Sequence, residues 1–229
     1  KFDIITSDPI DPWVKGCAAL NTIEYYQMCK EHLKPGGVMA LWIPLYENSS
    51  ESAKSCIATF FKVFPNGILF SNETSDGKGY DAVLFGTLEP KKIDIDAIQK
   101  FLDAHPRVNQ SLTDVGYGTG GRIADPAYAD HAVALDLLSS FAGDATDLQG
   151  WTADAQLNQD KNLRLQYLAG MAFNKQIAPQ ILQEILSYYR QPDDIFTGSP
   201  QTLAAFHSLL LAKNRIQLDN APRRVTLAP

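Results

Sequence analysis

The sequence predicts an α/β fold: a small sheet of alternating strands and helices, residues 1–90, followed by a mostly α-helical region, residues 91–229. Three observations carry this. The apolar runs at Ile4-Ile5 and Val38–Ile43 have the continuity of strands covered on both faces. Amphipathic, capped helical patterns alternate with them. Beyond Leu88–Lys92 the pattern turns helical almost throughout.

Phe2-Asp3-Ile4-Ile5-Thr6 reads as a buried strand, and Pro9 and Pro12 forbid its continuation because each lacks an N–H and fixes φ. Asn21 or Thr22 caps a helix over 23–33, with Glu24 in its first turn and Lys30 and His32 near its end, as the helix dipole favours. Lys34-Pro35-Gly36-Gly37 stops it. The run from Val38 forms the next strand, and an amphipathic helix over 52–64 ends at Pro65-Asn66-Gly67. Ile68-Leu69-Phe70 and Ala82–Thr87 give two last strands around a loop over 71–80.

In the second part, a helix over 93–102 stops before Pro106. Residues 127–141 carry Val133, Leu137, Leu138 and Phe141 at helical spacing. A short turn or helix over 147–151, a helix over 162–172 and an amphipathic helix over 177–189 follow. Ser199-Pro200 is an N-cap and first-turn pair for a helix over 202–214. The tail 220–229, with two prolines, is expected to be poorly ordered.

Hydrophobic content of 45% and charged content of 20% over 229 residues are those of an ordinary soluble protein. A net charge of −6 disfavours nucleic acid as a partner and suits a cationic ligand. No apolar run approaches bilayer length, so no membrane contact is expected of this segment. Cys17, Cys29 and Cys56 lack metal spacing and read as reduced packing residues of a cytoplasmic protein. The four histidines form no ligand or triad pattern, so no metal is assigned.

The most chemical feature is the loop Ser7-Asp8-Pro9-Ile10-Asp11-Pro12-Trp13. It holds two carboxylates on a stiff bend at the carboxyl end of a strand, where ligands bind in open α/β sheets. The same residues also serve as ordinary turn punctuation. As a site, the loop suits gripping a cationic amine and taking a proton from it. Trp13 either offers a π face to a cation, worth roughly 0.5–2 kcal/mol, or packs over the loop. Tyr46 and Glu47, just past the next strand, are rim candidates.

The order strand, helix, strand, helix, strand, strand, with Leu33–Trp42 reading "LKPGGVMALW", resembles strands 4 to 7 of the Rossmann-like sheet of class I S-adenosylmethionine-dependent transferases. More narrowly, it resembles the spermidine/spermine synthase (aminopropyltransferase) family, particularly its bacterial fused-type members. There a "YDVII" strand leads to Asp-Ser-Ser-Asp-Pro and a helix ending Leu-Lys-Pro-Gly-Gly. Here the strand is "FDIIT" and the loop Asp8-Pro9-Ile10-Asp11-Pro12. A second match, Leu157–Gly170, is similar to the "LNTDDxPxLEY" segment of those members. Departures fall in the substrate loops: Trp13-Val14-Lys15-Gly16 replaces Gly-Pro-Ala, and Ile43–Glu47 replaces a Gln-rich turn.

The resemblance implies that Asp8 is the catalytic base and Asp11 a polyamine-binding carboxylate, with Trp13, Tyr46 and Glu47 about the amine and Ser7 and Pro9 beside the cofactor. A polyamine nitrogen, with a pKa of roughly 10, must lose a proton before attacking carbon. The co-substrate would be decarboxylated S-adenosylmethionine, or S-adenosylmethionine itself, with its main binding site outside this chain. The chain is thus expected to be a fragment of a polyamine-biosynthesis enzyme, inactive alone, whose full-length form carries membrane segments in some relatives. Its first strand would have an open edge for pairing, for instance in a homodimer. The segment around Asn158 is expected to brace the mouth of the site, with an Asp160–Arg164 ion pair beside it.

Two other functions stay open. One is an S-adenosylmethionine-dependent methyltransferase, which Asp114–Gly120, matching Asp-x-Gly-x-Gly-x-Gly, would support in a circularly permuted order. That motif needs a hydrophobic strand before it, and Arg107–Thr113 is too polar, so the stretch reads as a loop. The other is a non-catalytic polyamine-binding or scaffolding module.

Overall fold

Strand β1 (Phe2–Ser7) lies at one edge of a five-stranded sheet ordered β1-β2-β4-β3-β6. It pairs in parallel with β2 (Leu33–Pro44) through α1 (Ile23–His32), which gives the expected α/β unit. The structure, a computed structural model, describes residues 1–9, 11–73, 79–118 and 131–219; side chains are described only to Lys213 in the last helix, and not for Glu73.

Thr22 rather than Asn21 caps α1, its hydroxyl accepting from the Tyr25 amide at 3.2 Å, while Asn21 turns inward to accept from the Tyr26 hydroxyl at 2.9 Å. Ser49 caps α2 (Ser50–Val63) through the Ser52 amide. Strands β3 (Ile68–Glu73) and β4 (Gly79–Thr87) extend further than the apolar runs alone suggest, which shortens the loop between them; residues 74–78 lie outside the described set. β4 runs antiparallel to both β2 and β3.

Beyond β4 come the two-residue strand β5 (Ile93–Asp94), α3 (Ile95–Ala104), α4 (Pro106–Asp114) and α5 (Ala132–Leu138). Residues 107–113, too polar for a buried strand, form α4: Pro106 occupies its first turn, and it is a surface helix with no buried residue, so polarity costs it nothing. One expectation is corrected here. Phe141 does not end a helix but opens β6 (Phe141–Asp144), antiparallel to β3, because β3 otherwise ends the sheet with an unpaired edge.

A short 3-10 turn (Asp147–Gln149) leads to α6 (Arg164–Ala172) and α7 (Ala178–Leu186), and β7 (Phe196–Thr197) pairs in parallel with β5. α8 (Pro200–Asp219) follows, capped by Ser199 through the Thr202 amide at 3.2 Å. The tail 220–229 and most of the stretch between α4 and α5 lie outside the described residues.

Alternation along the strands gives the sheet two unlike faces. One carries Met39, Leu41, Ile43, Leu69 and Leu84, fully covered by Tyr26, Ile57, Phe60 and Phe64 of α1 and α2 and the end of α2, and by Ile181 and Ile185 of α7. Gly86 belongs to this face: a Cβ there would stand 2.5 Å from the Phe64 ring. Residues from both halves of the chain thus share one core. The other face carries Val38, Trp42, Val83, Phe85, Ile68 and Phe70, all half-buried, with α3 and α5 standing over part of it. A second core cluster, around Phe141, Phe196 and Phe206, ties α3, α5 and α8 to the far end of the sheet.

Among the described residues no helix is long and apolar enough to cross a membrane.

Candidate functional site

The carboxyl ends of β1 and β2 are adjacent because the two strands are parallel and paired, Ser7 beside Leu41. The loops leaving them therefore meet. From β1 come Asp8 and Asp11; from β2 come Tyr46 and Glu47; the start of β4 adds Tyr80 and Asp81. Sequence proximity alone relates only the members of each pair, and the parallel register brings the pairs together.

The β2 loop is tightly held. The amides of Leu45 and Tyr46 both donate to the Tyr80 carbonyl, at 3.1 and 3.2 Å. Asn48 closes the turn by donating through Nδ2 to the Pro44 carbonyl at 2.7 Å. Glu47 sits at φ 46°, in the left-handed region, which a side-chain-bearing residue adopts only where the surroundings enforce it. Tyr46 stacks on Tyr80, with ring centroids 4.6 Å apart, and tilts against Trp42 at 6.2 Å.

Electrostatically the cluster is one-signed. Partial burial, then the Glu47 charge and, more weakly, Asp8, hold the Asp11 carboxyl above its ordinary pKa. The Tyr46 hydroxyl is pushed up to about 12, by burial first and then by Asp11, Tyr80, Asp81 and Glu47. Asp11 Oδ1 is shielded from solvent and has no hydrogen-bond partner. Among the described residues no lysine, arginine or histidine forms an ion pair with Asp8, Asp11, Glu47 or Asp81. An anionic cluster beside the stacked Tyr46 and Tyr80 rings, with no basic partner among the described residues, is equipped to take up a cation.

The remaining candidates lie otherwise. Trp13 packs against Phe173, with ring centroids 5.7 Å apart. Ser7 is buried, its hydroxyl accepting from the Tyr25 hydroxyl at 3.3 Å. Pro9 lines a small recess of about 10 Å³, room for a single water, with Pro12, Trp42 and Asn48. Asp8 itself is exposed.

Asp81 escaped the sequence reading. It is 7% exposed, and its Oδ2 accepts from the Trp42 indole N–H at 2.9 Å while Oδ1 has no partner. A lone acid at the start of an apolar strand was the available signal.

Behind the site, Asn158 acts as a fastener. Its Nδ2 donates to the Ala18 and Asn21 carbonyls at 2.8 and 3.0 Å, its Oδ1 accepts from the Leu165 amide at 3.0 Å, and its own amide donates to Thr59 Oγ1 at 2.9 Å. The Asp160–Arg164 ion pair does not form. The Arg164 guanidinium lies 4.8 Å over the Tyr167 ring, and the Asp160 amide donates to Glu24.

The Asp114–Gly120 stretch begins on the last residue of helix α4, not after a hydrophobic strand, and the Gly118 amide donates to Asp136 Oδ2 at 2.8 Å. The context a nucleoside-cradling turn requires is missing there. Thr119 and Gly120 lie outside the described residues. A scan against protein-family models finds no match, and no curated protein matches the chain significantly.

Proposed function

We propose that this chain forms the amine-binding part of a spermidine-synthase-like aminopropyltransferase, in which Asp11 and Glu47 hold an ammonium group and Asp8 accepts the proton of the attacking nitrogen. The observation that carries the reading is the Asp11 carboxyl, with one oxygen unpartnered, crowded by Glu47 and Asp8 and without a paired cation among the described residues. Burial first, and then repulsion from Glu47, raises the Asp11 pKa; an ammonium placed there offsets both, so binding energy and orientation come from the same contact. The exposed Asp8, on the same stiff loop, is free to take up a proton from a second nitrogen.

Decarboxylated S-adenosylmethionine would supply a propyl carbon activated by sulfonium sulfur. The acidic loop fits a neighbouring cation of that kind. Ser7, whose hydroxyl is bonded to Tyr25, and Pro9, which lines a recess of about 10 Å³, are proposed to border its nucleoside. Asp8, Asp11 and Glu47 supply the amine side: binding, orienting and proton uptake. A methyltransferase of amines would use the same acids; the α4 context of Asp114–Gly120 weighs against the permuted form of that alternative.

We also infer that the open edge of β1, with Phe2 56% and Ile4 66% exposed, pairs with another strand, in the simplest case that of a second copy.

Calorimetry with putrescine and spermidine, set against 1,4-butanediol, tests the central claim. The amines should bind, the diol should not, and Asp11→Asn should weaken amine binding at least tenfold. In the full-length protein, supplied with each cofactor form, Asp8→Asn should remove transfer while sparing amine binding. Absence of amine binding together with absence of transfer ends the proposal.

A further inference from the structure

The half-buried face of the sheet encloses, with α3 and α5, a cavity of about 580 Å³. That is the size of a small-molecule site. Its floor is apolar, built from Val83 and Phe85 of β4 and Ile68 and Phe70 of β3, and its roof includes Ile98 and Leu137. It extends along β4 from Asp81 to Thr87, roughly 20 Å at about 3.3 Å per residue.

One end is polar and fixed. Asp81 lines the cavity, is 7% exposed and has an Oδ1 with no partner, while its Oδ2 is locked by the Trp42 indole N–H at 2.9 Å. Among the described residues no basic side chain forms an ion pair with it. Lys91 also lines the cavity, but its ammonium is held by the Gly36 carbonyl, whereas Asp81 Oδ1 has no partner; a carboxylate at the end of an apolar trough is the complement of a long hydrocarbon body ending in an ammonium group.

We propose that this cavity binds an elongated hydrophobic monoamine, its ammonium drawn to the Asp81 end and its alkyl body lying along Val83, Phe85 and Phe70. Asp81 adjoins the acidic loops through Tyr46, but the two readings use different carboxylates. That reading needs Asp8, Asp11 and Glu47 on the loops; this one needs Asp81 and the sheet face.

The test uses n-octylamine, 1-octanol and octanoate as probes, with binding read by calorimetry and by the shift of the Trp42 indole N–H resonance. The amine should bind at least tenfold more tightly than the alcohol, and the carboxylate most weakly. Asp81→Asn preserves size and an acceptor for Trp42, so it should bring the amine down to the level of the alcohol. Val83→Trp, which fills the trough without touching Asp81, should abolish binding of both amine and alcohol. Asp11→Asn should weaken octylamine binding far less than Asp81→Asn does, which separates this site from the polyamine loop. Equal binding of amine and alcohol by the wild-type chain overturns the proposal, and so does absence of octylamine binding at millimolar concentration. Octylamine binding that survives Val83→Trp overturns it too.

Discussion

Asn158 donates through Nδ2 to the backbone carbonyl of Asn21 at 3.0 Å, joining two points 137 residues apart in the chain. The same amide group reaches Ala18, and the side-chain oxygen receives the Leu165 amide. One fully buried side chain thus stitches the turn before α1 to the start of α6, next to α2. Nothing in this network touches the acidic loop directly, yet it sets where α1 and the Asp11–Asn21 connection lie.

Asn158→Ala should therefore be severe. It leaves two buried carbonyls and an amide unpaired, and each orphaned group costs about 1–3 kcal/mol. A loss of about 3–4 kcal/mol in urea denaturation is expected. A loss under about 1 kcal/mol would mean water or a local shift replaces these bonds.

Asp11→Asn should trade affinity for stability. The wild-type carboxyl is disfavoured as an anion by burial and by Glu47. Removing its charge should raise the melting temperature slightly at neutral pH while weakening polyamine binding. Because its pKa is raised in the folded state, Asp11 favours folding most at low pH, and that contribution is lost as pH rises from its ordinary value through the raised one. A variant less stable than wild type at pH 7 and more stable at pH 3 would contradict the electrostatic account.

A similar signature should come from Asp147, whose pKa is raised to about 6, chiefly by burial and then by Asp144, with Arg190 opposing. Stability from this group is present below its unfolded pKa and disappears as pH climbs to about 6 and beyond. Comparing wild type with Asp147→Asn between pH 4 and 7 should show the wild type losing on the order of 2 kcal/mol more across that window. Parallel curves for the two proteins would show that Arg190, whose Nε is 3.9 Å away, compensates fully.

The edge of β1 should govern self-association. Sedimentation is expected to show concentration-dependent dimerisation, and Ile4→Lys, a charge on an exposed edge position, should abolish it with little change in stability. A dimer that persists in that variant places the contact elsewhere.

Within the fold, the elements that could be read from residues are those whose signals are local. The continuous run Val38–Ile43 is a strand, and the periodic segments over 52–64 and 177–189 and the capped one after Ser199 are helices, because periodicity and caps act within a few residues. β6 was not legible: Phe-Ala-Gly-Asp has little strand preference, and it pairs only because β3 offers an unfilled edge. α4 was hidden by its polarity, which an exposed helix tolerates.

The loop acids were identifiable one by one, as carboxylates on rigid bends after strands. Their meeting, with Glu47 pressing on Asp11 and Tyr46 pushed up to about 12, required the parallel register of β1 and β2. Asp81 shows the limit most clearly. Its residue type marks an acid in a strand, but its burial, its bond to Trp42 and its place at the end of a cavity come from antiparallel pairing across β2 and β4. Local chemistry determined which groups this protein carries; long-range packing decided which of them are desolvated together, because burial and charge proximity belong to neighbours distant in the chain.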